Sequence, residues 1–321
     1  MKKVTQFFIL LSILLFSGCA SYIAQNHLKQ KETDKGIAHT TQELKNNPSN
    51  ASMNYYHARF LYSRKQYAQA LKFFENAYKY DSNNAYYKFW LGVSYGKIKE
   101  YKKEQDIYLE ILEDKGKYKI ALIYLGKSYY KSKEYKKALK VFEEAISLYK
   151  KHSQMFYYYA KTLNKLNKPE EAKKYFIKYL SYYPSYSLAR GATYNLNALG
   201  DFTYSNFKID DKILSIKNIN YISGSDELEF YSKQSLNSIG NILLDNKELT
   251  LYIVAYEKEN LKKAEIRVKN IKKYLLSLFP EINFKQIKIA WLQTSKNIKV
   301  GKQRFAQDSY VNFFTTNKKG K

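Results

Sequence analysis

Small and apolar side chains recur every 34 residues between Ala51 and Tyr186, in registers that begin at Ala51, Ala85, Lys119 and Ser153. One column is small throughout: Ala58, Gly92, Gly126, Ala160. A second is aromatic throughout: Phe74, Tyr108, Phe142, Phe176. A third reads Ala70, Glu104, Ala138, Ala172, and the turn between two amphipathic halves is marked by Tyr67, Tyr101, Tyr135 and then Pro169. Small residues where helices cross, with aromatics where they wedge, predict helix-turn-helix pairs that each stack on the next.

These columns resemble the tetratricopeptide repeat family. The resemblance implies an all-α solenoid over 51–186, four repeats long. The family's proline survives as Pro184, with Pro48 at the same phase one register earlier, and the second repeat departs most, with Glu104 and Ile111 where alanines are usual. Ser187 to Leu199 reads as a capping helix over 187–200, closed by Gly200 as a C-cap.

From Asp201 the period changes. Residues 201–212 read as a linker, and 213–316 as a small α/β domain. Strands are expected at Ile216 to Ile222, Leu249 to Tyr256, Phe284 to Trp291 and Ser309 to Thr315, with helices at Ser232 to Asp245 and Leu261 to Phe279. That βαβαββ order predicts an α/β sandwich with its helices on one face. The order, together with Arg267-Val268, Ile271 and Tyr274-Leu275 on the second helix, resembles the OmpA-like peptidoglycan-associated domain. The resemblance implies an acid that holds the ammonium of a peptide-stem diamino acid and an arginine that grips its carboxylate. Arg267 occupies the arginine position and Glu257 is the nearest candidate acid. The motif is degenerate: Ala255-Tyr256-Glu257-Lys258 stands where a Gly-His-Thr-Asp sequence is usual, and the following loop is short.

The N-terminus has its own pattern. Lys2 and Lys3 precede the apolar run Phe7 to Phe16, which ends in Phe16-Ser17-Gly18-Cys19. A run this short reads as a signal-peptide core, because a spanning helix needs about 20 apolar residues. The ending resembles the lipobox of bacterial lipoproteins, which implies a leader over 1–18, acylation of Cys19, and Cys19 as mature N-terminus. Ala20 after the cysteine favours the outer membrane by the same resemblance. Residues 19–50 read as a lipidated tether with a short helix near Ile37 to Leu44. Cys19 is the sole cysteine, so no internal disulfide forms.

The chain carries a formal charge of +26, with 34 tyrosines among its 321 residues. In a cytoplasmic protein this basicity would suggest nucleic acid; export removes that partner and leaves peptidoglycan, lipid headgroups, lipopolysaccharide and acidic proteins. In the solenoid, Tyr55, Phe89 and Tyr157 are expected as an aromatic floor, flanked by Arg59, Lys97, Lys127, Lys131, Lys161 and Lys165 as a partner groove for an extended acidic segment. Lysine here equally serves to keep a tyrosine-rich surface soluble. His27, His39, His57 and His152 show no metal-ligand spacing, no nucleophile or phosphate-loop motif is present, and no cofactor is expected. The chain therefore reads as a non-enzymatic, outer-membrane lipoprotein facing the periplasm. Either its repeats scaffold an envelope protein while the C-terminal domain contacts peptidoglycan, or it is purely an interaction adaptor whose C-terminal domain has lost its ligand.

Overall fold

The computed structural model describes residues 19–113 and 119–317. The leader expected over 1–18 lies outside the described residues. The chain divides into two compact units, Met1–Lys150 and Lys151–Lys321.

The first unit is helical. It runs through α1 (residues 19–29), α2 (Thr33–Asn46), α3 (Ala51–Ser63), α4 (Tyr67–Tyr80), α5 (Ala85–Lys97), α6 (Tyr101–Glu113), α7 (Ala121–Lys131) and α8 (Tyr135–Leu148). Each helix from α2 onward packs on the next. Asn50 and Asn84 cap α3 and α5 with side-chain oxygens that accept from Met53 N and Tyr86 N. Such caps satisfy the otherwise orphaned first-turn amides. The column logic is realised as packing: Phe60, Phe74, Tyr108 and Phe142 are fully buried. A Cβ on Gly126 would lie 2.8 Å from the ring of Phe142, so only a small residue lets α7 and α8 approach.

Residues 19–50 do not form a tether. Helices α1 and α2 form an additional repeat pair ahead of Ala51. Ala20 and Ala24 are buried with Met53, next to Leu44 and Tyr56. His39 Nε2 is 3.0 Å from the Ala20 carbonyl, and Thr40 Oγ1 is 2.8 Å from His57 Nδ1. The pair keeps the period: Ala24 and Gly36 occupy the two small columns one register before Ala58 and Ala70. Even the backbone repeats. The turn residues Lys31, Lys65, Lys99 and Lys133 have φ of 59°, 64°, 69° and 67°.

The second unit opens with α9 (Ser153–Lys165) and α10 (Pro169–Tyr182), whose turn residue Asn167 has φ 58°, followed by α11 (Ala189–Ala198). The segment expected as a linker is instead structured. β1 (Tyr204–Ile209) pairs antiparallel with β2 (Lys212–Lys217) through a turn with Asp210 at φ 59°, and Phe207 and Ile209 point into the core. Then come α12 (Phe230–Asp245), β3 (Leu249–Glu257), α13 (Leu261–Leu278) and β4 (Ile287–Leu292), the last preceded by a 3-10 turn at Phe284–Gln286. A further hairpin that the sequence reading missed, β5 (Lys296–Val300) with β6 (Gln303–Gln307), precedes β7 (Ser309–Asn317). β3 is central, parallel to β4 and antiparallel to β7. Leu236, Ile239 and Leu243 of α12 join Val268, Ile271 and Leu275 of α13 in one core with Leu251 and Ile253 of β3.

Candidate functional site

Helices α3, α5 and α7 of the first unit present cations among aromatic rings. Arg59 donates to the Tyr55 hydroxyl at 2.6 Å, and its guanidinium lies 3.8 Å from the centroid of Trp90. Trp90 meets Tyr62 edge-on at 5.4 Å. The Lys97 ammonium is 5.6 Å from the Tyr62 ring and 5.0 Å from that of Tyr67, and Lys127 is 5.4 Å from Tyr124. These are cation–π distances, which hold a charged head over apolar area without neutralising it.

Beneath them lies Glu104, the residue that replaces alanine in its column. Its buried carboxylate accepts from Ser128 Oγ at 2.7 Å and fills the space left by Gly96, where an added Cβ would overlap Glu104 Oε1. Burial raises the Glu104 pKa, partly offset by the Ser128 hydrogen bond and by Lys131 and Lys127. Lys127 is pushed down to about 8, first by burial and then by the charge of Lys131, with Glu104 pulling upward and Lys97 adding repulsion. Lys131 and Lys127 both act on the Glu104 carboxylate, Lys97 lies near Lys127, and Arg59 sits over the neighbouring Trp90 ring, so the face is electropositive and suits an anion that relieves the like-charge crowding.

Two residues expected on the groove floor are core residues instead. Phe89 is 6% exposed and packs edge-on to Tyr124 at 4.7 Å. Tyr157 is 8% exposed and meets Tyr179 at 5.9 Å. Both are covered by the helix packed against them. Tyr157 belongs to the second unit, as do Lys161, whose ammonium is 5.6 Å from the Tyr157 ring, and the exposed Lys165. The rings that do line the cationic face were missed. Trp90 and Tyr124 share a column with Tyr56 and Tyr158, so an aromatic repeat was present in the sequence to find them.

In the second unit, Glu257 at the end of β3 and Arg267 on α13 face each other and pair through Oε1 and Nη1. Ser309, which opens β7, bridges them: its hydroxyl donates to Glu257 Oε1 at 2.8 Å and accepts from Arg267 Nη1. Lys263 adds a second cation 3.8 Å from Glu257 Oε2. The Arg267 guanidinium lies 4.5 Å from the Tyr221 ring, whose hydroxyl donates to the Arg267 carbonyl at 3.0 Å. Burial lowers the Arg267 pKa, and its Nε is buried without a hydrogen-bond partner. Glu257 is buried, 5% exposed. The two residues meet in one cluster, yet each is already used by the other. Ser309 also lines a polar cleft of about 470 Å³ with Lys173, Asn218, Asn220, Gln307 and Tyr310.

Cys19 is exposed at the start of α1. Among the described residues no helix is long and apolar enough to cross a membrane, and no group of three or more His, Cys, Asp or Glu is placed to hold a metal ion.

Comparison with known proteins agrees with the repeat reading. The tetratricopeptide repeat family matches residues 23–85, a span that begins inside α1, and the family of anaphase-promoting complex, cyclosome, subunit 3 matches residues 106–179. No curated protein matches by sequence. Among solved structures, PilF of Pseudomonas aeruginosa is 16% identical at a TM-score of 0.50, over 71% of this chain and 90% of that one. MamA of Desulfovibrio magneticus RS-1 is 16% identical at a TM-score of 0.48, over 53% of this chain and 97% of that one. Another MamA structure is 20% identical at a TM-score of 0.46, over 52% of this chain and 91% of that one. The N-terminal region is a tetratricopeptide-repeat solenoid, the class of fold that serves as a scaffold for protein interaction.

Proposed function

We propose that this chain is a non-enzymatic, lipid-anchored adaptor on the periplasmic face of the bacterial outer membrane, and that its repeats hold an acidic, extended segment of a protein partner. The observation that carries the proposal is the succession of Arg59 over Trp90, Lys97 by Tyr62 and Lys127 by Tyr124, with Lys131 near Lys127 and the Glu104 carboxylate beneath. Lysines steer an acidic segment, and the rings supply contact area. Titration of the full chain with a fluorescent Asp/Glu-rich peptide tests it. Binding should weaken with rising salt, and Lys131→Glu should weaken it about tenfold or more, while Lys165→Glu on the second unit should leave it unchanged. Equal binding by Lys131→Glu and the parent would reject the proposal.

Peptidoglycan contact by the C-terminal domain is the second reading. The meeting of Glu257 and Arg267 beside the cleft of Ser309 favours it, and the pairing of those two groups with each other weighs against it. Retention on purified sacculi, compared between the parent and Arg267→Ala, decides: the adaptor reading expects no retention that depends on Arg267.

A further inference from the structure

The large apolar side chains left exposed on the first unit are unevenly placed. Tyr22, Tyr80 and Tyr86 are 70%, 42% and 59% exposed, with Ile23 and Leu148 at 38% and 44%. Tyr80 and Leu148 are the last residues of α4 and α8, Tyr86 is the second of α5, and Tyr22 and Ile23 lie at the start of α1. All of them belong to the edge where the first helix of each pair begins and the second ends. Side-chain contacts set these helix starts side by side: the Ser21 and Ser52 hydroxyls are 2.8 Å apart, and the Tyr55 and Tyr87 rings 5.1 Å. Lys45 and Lys79 are exposed on the same edge, Lys79 with its ammonium 5.7 Å from the Tyr80 ring. The opposite edge is formed by the turns that carry Lys31, Lys65, Lys99 and Lys133. All four are exposed and make no ion pair among the described residues. Among the described residues of this unit, Ile98, on a turn, and Leu109, along α6, are the large exposed apolar side chains that lie elsewhere.

Cys19 stands on the aromatic edge, and there is no slack between it and the packed fold. The next residue, Ala20, is buried, its carbonyl 3.0 Å from His39, and Ala24 is fully buried. In the sequence, the apolar run Phe7 to Phe16 is separated from Cys19 by Ser17 and Gly18 alone. Acylation of Cys19, as proposed above, would add an apolar element at this edge.

We infer that the edge of the first unit bearing Cys19, Tyr22, Tyr80 and Tyr86 rests on a phospholipid surface, with the lysine-bearing turns directed away from it. Tyrosine suits the interface because its ring is apolar and its hydroxyl is wet. Lys45 and Lys79 can reach headgroup phosphates. Helices of 14 residues such as α4 hold the turns about 20 Å above that surface. The inference rests on the membrane-anchored reading proposed above.

The test uses the full chain, expressed with its leader and reconstituted in phosphatidylethanolamine–phosphatidylglycerol vesicles, with a nitroxide at Ser82→Cys on the aromatic edge or at Lys99→Cys on a turn; both positions are exposed. Mass spectrometry of the N-terminal peptide identifies the anchor. An acylated Cys19 leaves the introduced thiol as the one labelling site, and a retained leader with a free thiol calls for labelling in a Cys19→Ser background. The label at residue 82 should be several-fold less accessible to an aqueous nickel chelate than the label at residue 99. Equal accessibility on a chain that sediments with vesicles would overturn the inference alone. A chain that fails to sediment would overturn the anchored reading and this inference with it.

Discussion

Gly36 lies against the ring of Phe60 so closely that a Cβ on residue 36 would overlap the ring's Cζ. The contact joins α2 to α3 and leaves Phe60 fully buried. Gly126 likewise admits the ring of Phe142, there within one pair, α7 and α8, whereas Gly36 meets Phe60 across two successive pairs. Gly36→Ala should therefore cost about 1–3 kcal/mol through overpacking against an aromatic that cannot retreat. Urea unfolding of the parent and variant checks it. A change below the error of the midpoint would mean that α2 is loosely held.

The four turn lysines adopt a left-handed conformation that ordinary side chains enter at a cost of about 1–2 kcal/mol and that asparagine tolerates better. Asn167 stands at the corresponding position of the second unit. Lys99→Asn should thus stabilise the chain by about 0.5–1 kcal/mol, read as a higher urea midpoint at an unchanged slope.

Lys127 has its amine pushed down to about 8, against an ordinary value of 10.5. Between those values the unfolded chain still holds the proton that the folded chain has released, so stability from this residue rises as pH goes from about 8 to 10.5. Lys127→Met should remove that rise, as read from melting temperatures across the window. Binding of an acidic peptide should take up protons near pH 8, because an anion raises the depressed amine.

Arg267 compensates a buried carboxylate. Arg267→Ala leaves Glu257 with the Ser309 hydrogen bond and the more distant Lys263, and should destabilise the second unit by about 3–5 kcal/mol. Pairing the change with neutralisation, as Glu257→Gln with Arg267→Met, should restore most of the loss. Thermal unfolding of the single and double variants measures both.

Helices α3 to α10 were legible because one period specifies them repeatedly, and each register corroborates the others. The strand Leu249–Glu257 and the helix Leu261–Leu278 were legible because each is bounded by polar residues around a clear apolar pattern. Helix α1 escaped notice, and α2 was read only as a short helix near Ile37 to Leu44, because Thr40 and His27 stand where the later registers carry aromatic or leucine residues. β1, β5 and β6 escaped because Asn, Lys, Arg and Gln fill their solvent-facing positions, leaving few apolar residues to mark an alternation.

Local periodicity, then, was enough to determine which residues are helical and which columns meet, since both follow from backbone geometry repeated along one chain. It did not determine that Phe89 and Tyr157 are covered, that Glu104 lies beneath Lys127, or that Glu257, Arg267 and Ser309 consume one another's hydrogen bonds. Those depend on where a neighbouring helix or strand, distant in sequence, lays its own side chains, and only the folded chain brings them together.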